Sequence, residues 1–136
     1  MMDLLTPYII DIPKVEDYRG NLSVLCDSGV LPFECVRAYW HTNFPTGEIG
    51  VPLAWYTTQE IVVVLSGSVE IETEGKSGFK TLRLDRPDHG AYIPPMTWRR
   101  IYSRSENAVA LIVTSTLYDS TDCITDYDKF HNLISE

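Results

Sequence analysis

Positive charge is what this chain has least of: 11 lysines and arginines stand against 19 acids, leaving a net charge of -8. A surface of that sign has no basic field with which to displace counterions from phosphates. That excludes non-specific nucleic-acid binding and makes any anionic ligand depend on individually placed arginines. The candidates are Arg19, Arg37, Arg86, Arg99, Arg100 and Arg104. Long apolar runs are also missing. Nothing approaches the roughly 20 residues that a membrane helix needs, and no basic segment opens the chain as it would a secretory signal. A cytoplasmic location without membrane contact is the expectation. Cysteine is scarce: Cys26, Cys35 and Cys123 are odd in number, far apart and without a C-x-x-C pair. Neither a disulfide framework nor a zinc site is expected from them, and they read as buried or incidental thiols. Repeats, low-complexity stretches and linkers are absent, so residues 1–136 read as one domain, long enough to bury a core.

What is present is a series of short strands. Val69-Glu70-Ile71-Glu72-Thr73 alternates apolar with acidic, as a half-exposed strand does, while Ile61–Leu65 and Ala108–Val113 are β-branched runs suited to burial on both faces. Ser66-Gly67-Ser68 is a turn joining the Ile61 and Val69 strands, Gly75-Lys76-Ser77-Gly78 a hairpin tip leading to Phe79–Leu84, and Arg86–Gly90 a turn before Ala91-Tyr92-Ile93. Strands at such spacing predict a sandwich or barrel. Only Thr125–Ile134 looks helical, with early acids and Tyr127, Phe130 and Ile134 at i, i+3, i+7. The predicted fold is an all-β jelly roll with a short C-terminal helix.

Several segments in one order carry a resemblance. They are Ile12–Leu22, Leu31-Pro32-Phe33, Arg37-Ala38-Tyr39, Leu65–Ser68, Leu84–Pro87, Gly90–Pro95, Trp98-Arg99, Leu117-Tyr118-Asp119 and Ile124–Asp128. Together they resemble the dTDP-4-keto-6-deoxyglucose 3,4-ketoisomerases, which are WxcM-like, RmlC-like cupins of deoxysugar and lipopolysaccharide biosynthesis. The resemblance implies a cupin barrel, a dTDP-linked sugar as ligand, and a homodimer that exchanges N-terminal strands, here the segment Tyr8–Ile12. It also exposes a departure. The family's R-G-x-H-A-H stretch falls on Gly50, Leu53 and Trp55 at its three functional positions. The general cupin signature G-x5-H-x-H-x4-E-x6-G likewise runs from Gly47 through Glu60 to Gly67 with both histidines replaced, and the second cupin motif ends near Met96 and Arg99, where a glycine and a third histidine would lie.

Moving a ketone between neighbouring carbons of a hexose requires removing a proton beside a carbonyl and returning one to the other carbon. Histidine, titrating near pH 6.5, suits that task, whereas leucine and tryptophan do not titrate. Losing one general acid or base costs about 10²–10⁴ in rate. Of the cupin metal ligands only Glu60 survives, and a single carboxylate makes no transition-metal site, so neither a metal nor another cofactor is expected. Arg37, Tyr39 and His41 alternate on one strand face, and the resemblance turns the first two toward the barrel interior. His41 is then the candidate replacement base and Tyr39 its partner acid, unless His41 lies at the strand end and faces solvent. His89 and His131 read as solvated surface groups.

By resemblance, Arg19 and Arg99 are candidates for the diphosphate, with Tyr92 or Trp98 stacking on thymine. Equally, the arginines pair with acids and the aromatics fill cores. Leu53 and Trp55 either line a binding pocket or plug the barrel. Three readings stay open: a binder of a dTDP-linked sugar with lost or altered catalysis, an active isomerase or epimerase using His41 or Tyr39, and a filled barrel that binds protein partners.

Overall fold

The two β-branched runs lie next to each other near the centre of a five-stranded antiparallel sheet. The computed structural model describes residues 5–43 and 47–136, the side chains at 48–50 excepted. In chain order the elements are β1 (Tyr8–Asp11), β2 (Lys14–Asp17), β3 (Gly20–Ser23), β4 (Arg37–His41), β5 (Gly47–Trp55), β6 (Glu60–Ser66), β7 (Val69–Gly75), β8 (Gly78–Leu84), β9 (His89–Ile93), β10 (Trp98–Ser103), β11 (Val109–Thr114), β12 (Cys123–Ile124) and α1 (Tyr127–Ile134). One five-stranded sheet has the order β1-β9-β6-β11-β4, the other β12-β5-β10-β7-β8, and β2 and β3 form a separate ribbon.

Side-chain alternation explains why the central runs are apolar throughout. Val62 and Val64 of β6 point into a core shared with Val69, Ile71, Leu82, Leu84 and Ile101 of the second sheet. Ile61 and Val63 point the other way, under β1 and the segment carrying Leu25, Val30, Leu31 and Phe33. Both faces are covered, so neither can be polar. A third cluster lies on the outer face of the second sheet, where Phe130 of α1 seats against Ala54, Trp98 and Ile124. Helix α1 starts two residues later than Thr125, because Asp126 caps it by accepting from the backbone N–H groups of Asp128 and Lys129.

Ser66-Gly67-Ser68 is the expected turn between β6 and β7, and it carries the chain from one sheet to the other. Gly67 is required there, since its φ is +76° and a Cβ would lie 3.0 Å from the Cα of Ala108. Cys26 and Cys35 are not incidental thiols but a disulfide, their Cα atoms 5.9 Å apart; the intervening loop folds back on itself, which no spacing pattern announces. His89 opens β9 instead of sitting in a turn, half-buried with Nε2 3.3 Å from Asp11 Oδ1. Strand β1 pairs with β9 of the same chain, Ile9 opposite Ala91 and Ile10 opposite Gly90. No helix among the described residues is long and apolar enough to cross a membrane.

Candidate active site

One end of the barrel interior is polar. Glu60, the first residue of β6, is completely buried, and Arg99 of β10 meets it from the opposite sheet. Nε donates to Oε1 at 2.9 Å and Nη2 to Oε2 at 3.0 Å, a two-pronged ion pair. Tyr39 of β4 donates its hydroxyl to Glu60 Oε2 at 3.4 Å. Burial disfavours the charge on Arg99, but the Glu60 carboxylate and Tyr39 more than offset this and hold it firmly protonated. Burial, reinforced by the Glu60 charge and only partly eased by Arg99 and Arg37, pushes the Tyr39 phenol up to about 12. At neutral pH the phenol therefore keeps its proton and can donate it.

Above this pair the wall is aromatic. Arg37 lies over the Tyr39 ring at 4.4 Å and over the Tyr118 ring at 5.2 Å, and Tyr118 meets Trp55 edge-on at 6.4 Å. Arg37 forms no ion pair with a described carboxylate. Leu53 sits opposite Arg99 in the β5–β10 pairing, so Leu53 and, two residues on, Trp55 face the same interior. Between Ile49 and Leu53, four steps along β5 are matched by only two along β10. This bulge spans the stretch that would read R-G-x in the family, and the surroundings of Gly50 lie outside the described residues. Trp55 is 5% exposed, and its indole Nε1 has no hydrogen-bond partner among the described residues. Cys123 pairs opposite Trp55 across β12–β5, a protonated thiol pushed up by burial.

The loop under this wall is held by one carboxylate. Asp122 accepts from Thr57 N and Oγ1 at 3.0 and 2.8 Å and from Thr58 N and Oγ1 at 3.1 and 2.6 Å. That fixes the turn from Trp55 to Glu60, and with it the position of the buried carboxylate.

The structure thus gathers Arg37, Tyr39, Leu53, Trp55 and Arg99, and separates the other candidates from them. Arg99 gives two of its donors to Glu60. Arg19 is exposed at the tip of the β2–β3 ribbon, its Nη2 2.7 Å from Asp17 Oδ2. Tyr92 points away from the interior, its ring between Tyr8 and Phe33 and its hydroxyl 2.8 Å from Gln59 Oε1. Trp98 also points outward, packed on Tyr127 and Phe130 at 5.4 and 5.7 Å. Both rings are packed on the faces away from the interior, because odd and even residues of β9 and β10 face opposite sides. His41 ends β4 on the inner face, its ring 6.1 Å from that of Tyr39 and on the side remote from Arg37. Sequence reasoning missed Tyr118 and Cys123 as members of this end; Tyr118 lies in one of the segments that carry the resemblance. No cluster of described residues could hold a metal. Surface clefts walled by Glu74 and Trp98, by Tyr118 and Asp122, by Cys26 and Cys35, and by Glu70 and Arg104 do not include Leu53, Trp55, Tyr39 or Glu60.

Comparison with known proteins agrees with this architecture. The chain is 27% identical over 128 residues to the TDP-4-oxo-6-deoxy-α-D-glucose-3,4-oxoisomerase of Aneurinibacillus thermoaerophilus, covering 94% of this chain and 92% of that one. Among solved structures, the sugar 3,4-ketoisomerase QdtA from Thermoanaerobacterium thermosaccharolyticum in complex with TDP superposes with a TM-score of 0.89 at 27% identity, over 98% of this chain and 97% of that one. The TDP-quinovose 3,4-ketoisomerase WlaRB from Campylobacter jejuni superposes with a TM-score of 0.85 at 28% identity, over 93% and 97%. The family model described as FdtA, WxcM-like, C-terminal, matches residues 6–135. With that match over nearly its whole length and its jelly-roll barrel, the chain belongs to the WxcM-like family of cupins.

Proposed function

We propose that this chain binds a TDP-linked sugar at the Arg37–Trp55 end of the barrel and does not transfer protons by the family's imidazole chemistry. The observation that carries the reading is Arg37: a guanidinium held by two tyrosine rings, without an ion-pair partner among the described residues, in a chain of strongly negative net charge. Such a group suits the diphosphate. The buried, unpartnered Nε1 of Trp55 adds a donor for a sugar oxygen. Leu53 and Trp55 replace the groups that would titrate near neutrality, and Tyr39, held up to about 12, supplies a proton donor without a base. On this reading the chain binds its ligand with lost or altered catalysis, and a homodimer in the cytoplasm serving deoxysugar or lipopolysaccharide synthesis belongs to the same proposal.

Calorimetric titration with TDP and TDP-glucose, repeated on Arg37→Ala, tests the binding. Micromolar affinity that falls at least about tenfold in the variant supports it. Absence of binding by wild type refutes it and favours the filled barrel, the second reading, which rests on the near-complete burial of Trp55. Proton NMR of TDP-4-keto-6-deoxyglucose incubated with the protein tests the catalysis. Turnover lost in His41→Asn or Tyr39→Phe would establish a relocated acid or base instead. Light scattering at micromolar concentration tests the dimer.

A further inference from the structure

The outer face of the second sheet carries a separate cleft of about 310 Å³, at the small end of ligand cavities. Its floor is a row across three strands: Trp98 of β10 stands opposite Glu74 of β7, and Glu74 opposite Phe79 of β8. The next row sets Arg100 opposite Glu72. Tyr127 of α1 closes one side and donates its hydroxyl to Glu74 Oε1 at 2.7 Å. Two features of this cleft have no role in the fold. Phe79 is 82% exposed at its rim, and the Nε1 of Trp98, itself almost wholly buried, has no hydrogen-bond partner among the described residues.

We propose that this cleft is a second binding site, for a neutral pyranose. A buried indole N–H offers a donor, Glu72 and Glu74 offer acceptors, and Phe79 offers a ring face for the C–H side of a sugar. Glu72 stands opposite Arg100, and Glu74 is already engaged by the Tyr127 hydroxyl and by His131 Nδ1 at 3.6 Å from its Oε2, so the cleft presents both signs and is a bare site for neither an anion nor a cation. The phosphates of a nucleotide would meet the carboxylates, whereas a polyol uses both signs. The site is independent of the barrel reading: Trp98 faces out from β10 where Arg99 faces in, so the two sites lie on opposite sides of one sheet. The pyranose is either a free sugar or one unit of a glycan.

The three tryptophans of the chain allow a direct test by ¹⁵N–¹H correlation of the indole N–H groups, with Trp98→Phe assigning its own signal. Methyl glucoside and maltotriose are titrated in turn, with TDP as the control. A saturable millimolar shift of the Trp98 signal, lost in Phe79→Ala and in Glu72→Gln and not produced by TDP, supports the site. Phe79 is too exposed for its removal to unfold the chain. A response to methyl glucoside assigns the site to single sugars, and a response to maltotriose alone assigns it to a glycan. An immobile Trp98 signal with both sugars, or a shift unchanged in Phe79→Ala, overturns the proposal.

Discussion

Replacing Arg99 by methionine removes the one cation that, among the described residues, pairs with a completely buried carboxylate, and leaves Glu60 with the Tyr39 hydroxyl at 3.4 Å as its remaining described partner. Breaking one side of a buried ion pair costs about 3–5 kcal/mol, because the surviving charge stays out of water. The barrel offers no relief, since Glu60 starts a strand whose next four residues are all buried. At about 3–4 °C per kcal/mol for a domain of this size, the melting temperature should fall by about 10–20 °C. Removing both charges, as Glu60→Leu with Arg99→Met, should recover most of that loss, because well-packed apolar residues commonly equal or exceed a buried pair in stability. Urea unfolding followed by circular dichroism, run on wild type, both single variants and the double, gives the coupling directly. An Arg99→Met variant within about 1 kcal/mol of wild type, or a double variant losing the full sum of the singles, would refute the account of an interior organised around one desolvated pair.

Three other outcomes are expected. Alkaline difference spectra between wild type and Tyr39→Phe should reveal one phenol that ionises near 12 instead of 10.0; an inflection near 10 would mean that Tyr39 is solvated. Arg86 and then Lys14 hold the Asp88 carboxyl well below its ordinary value of 3.8, so its stabilising contribution is present above that pH and is lost as pH falls through its lower folded value. The melting-temperature gap between wild type and Asp88→Asn should therefore narrow in acid below 3.8; a gap that is constant with pH would count against the ion pairs. Alkylation of the unfolded, unreduced chain should label Cys123 alone, and all three cysteines after reduction; three labels without reductant would exclude the Cys26–Cys35 bridge.

Most of the fold was legible because the local rules all agree. Period-two alternation marks β7, β-branched runs mark β6 and β11, paired glycines mark the β7–β8 tip, and Asp126 with Phe130 marks α1. The strand alternation that placed Arg37 and Tyr39 together held because it depends only on backbone pleat. The same alternation was decisive for Tyr92 and Trp98, but which parity faces the interior is a property of the assembled barrel, not of the strand.

The sequence by itself determined the all-β class with its terminal helix, the negative net charge, and the absence of imidazole at positions 53 and 55, since these depend on residue identity and near-neighbour pattern alone. Tertiary structure decided the partners. Glu60 and Arg99 are 39 positions apart and Cys26 and Cys35 are 9, and only closing the sheets on each other brings the first pair within 2.9 Å and folding the loop back joins the second. Whether a guanidinium reads as a phosphate ligand or as an internal strut depends on which carboxylate arrives beside it. That turned Arg99 inward, tied Arg19 to Asp17, and left Arg37 between two rings at the mouth.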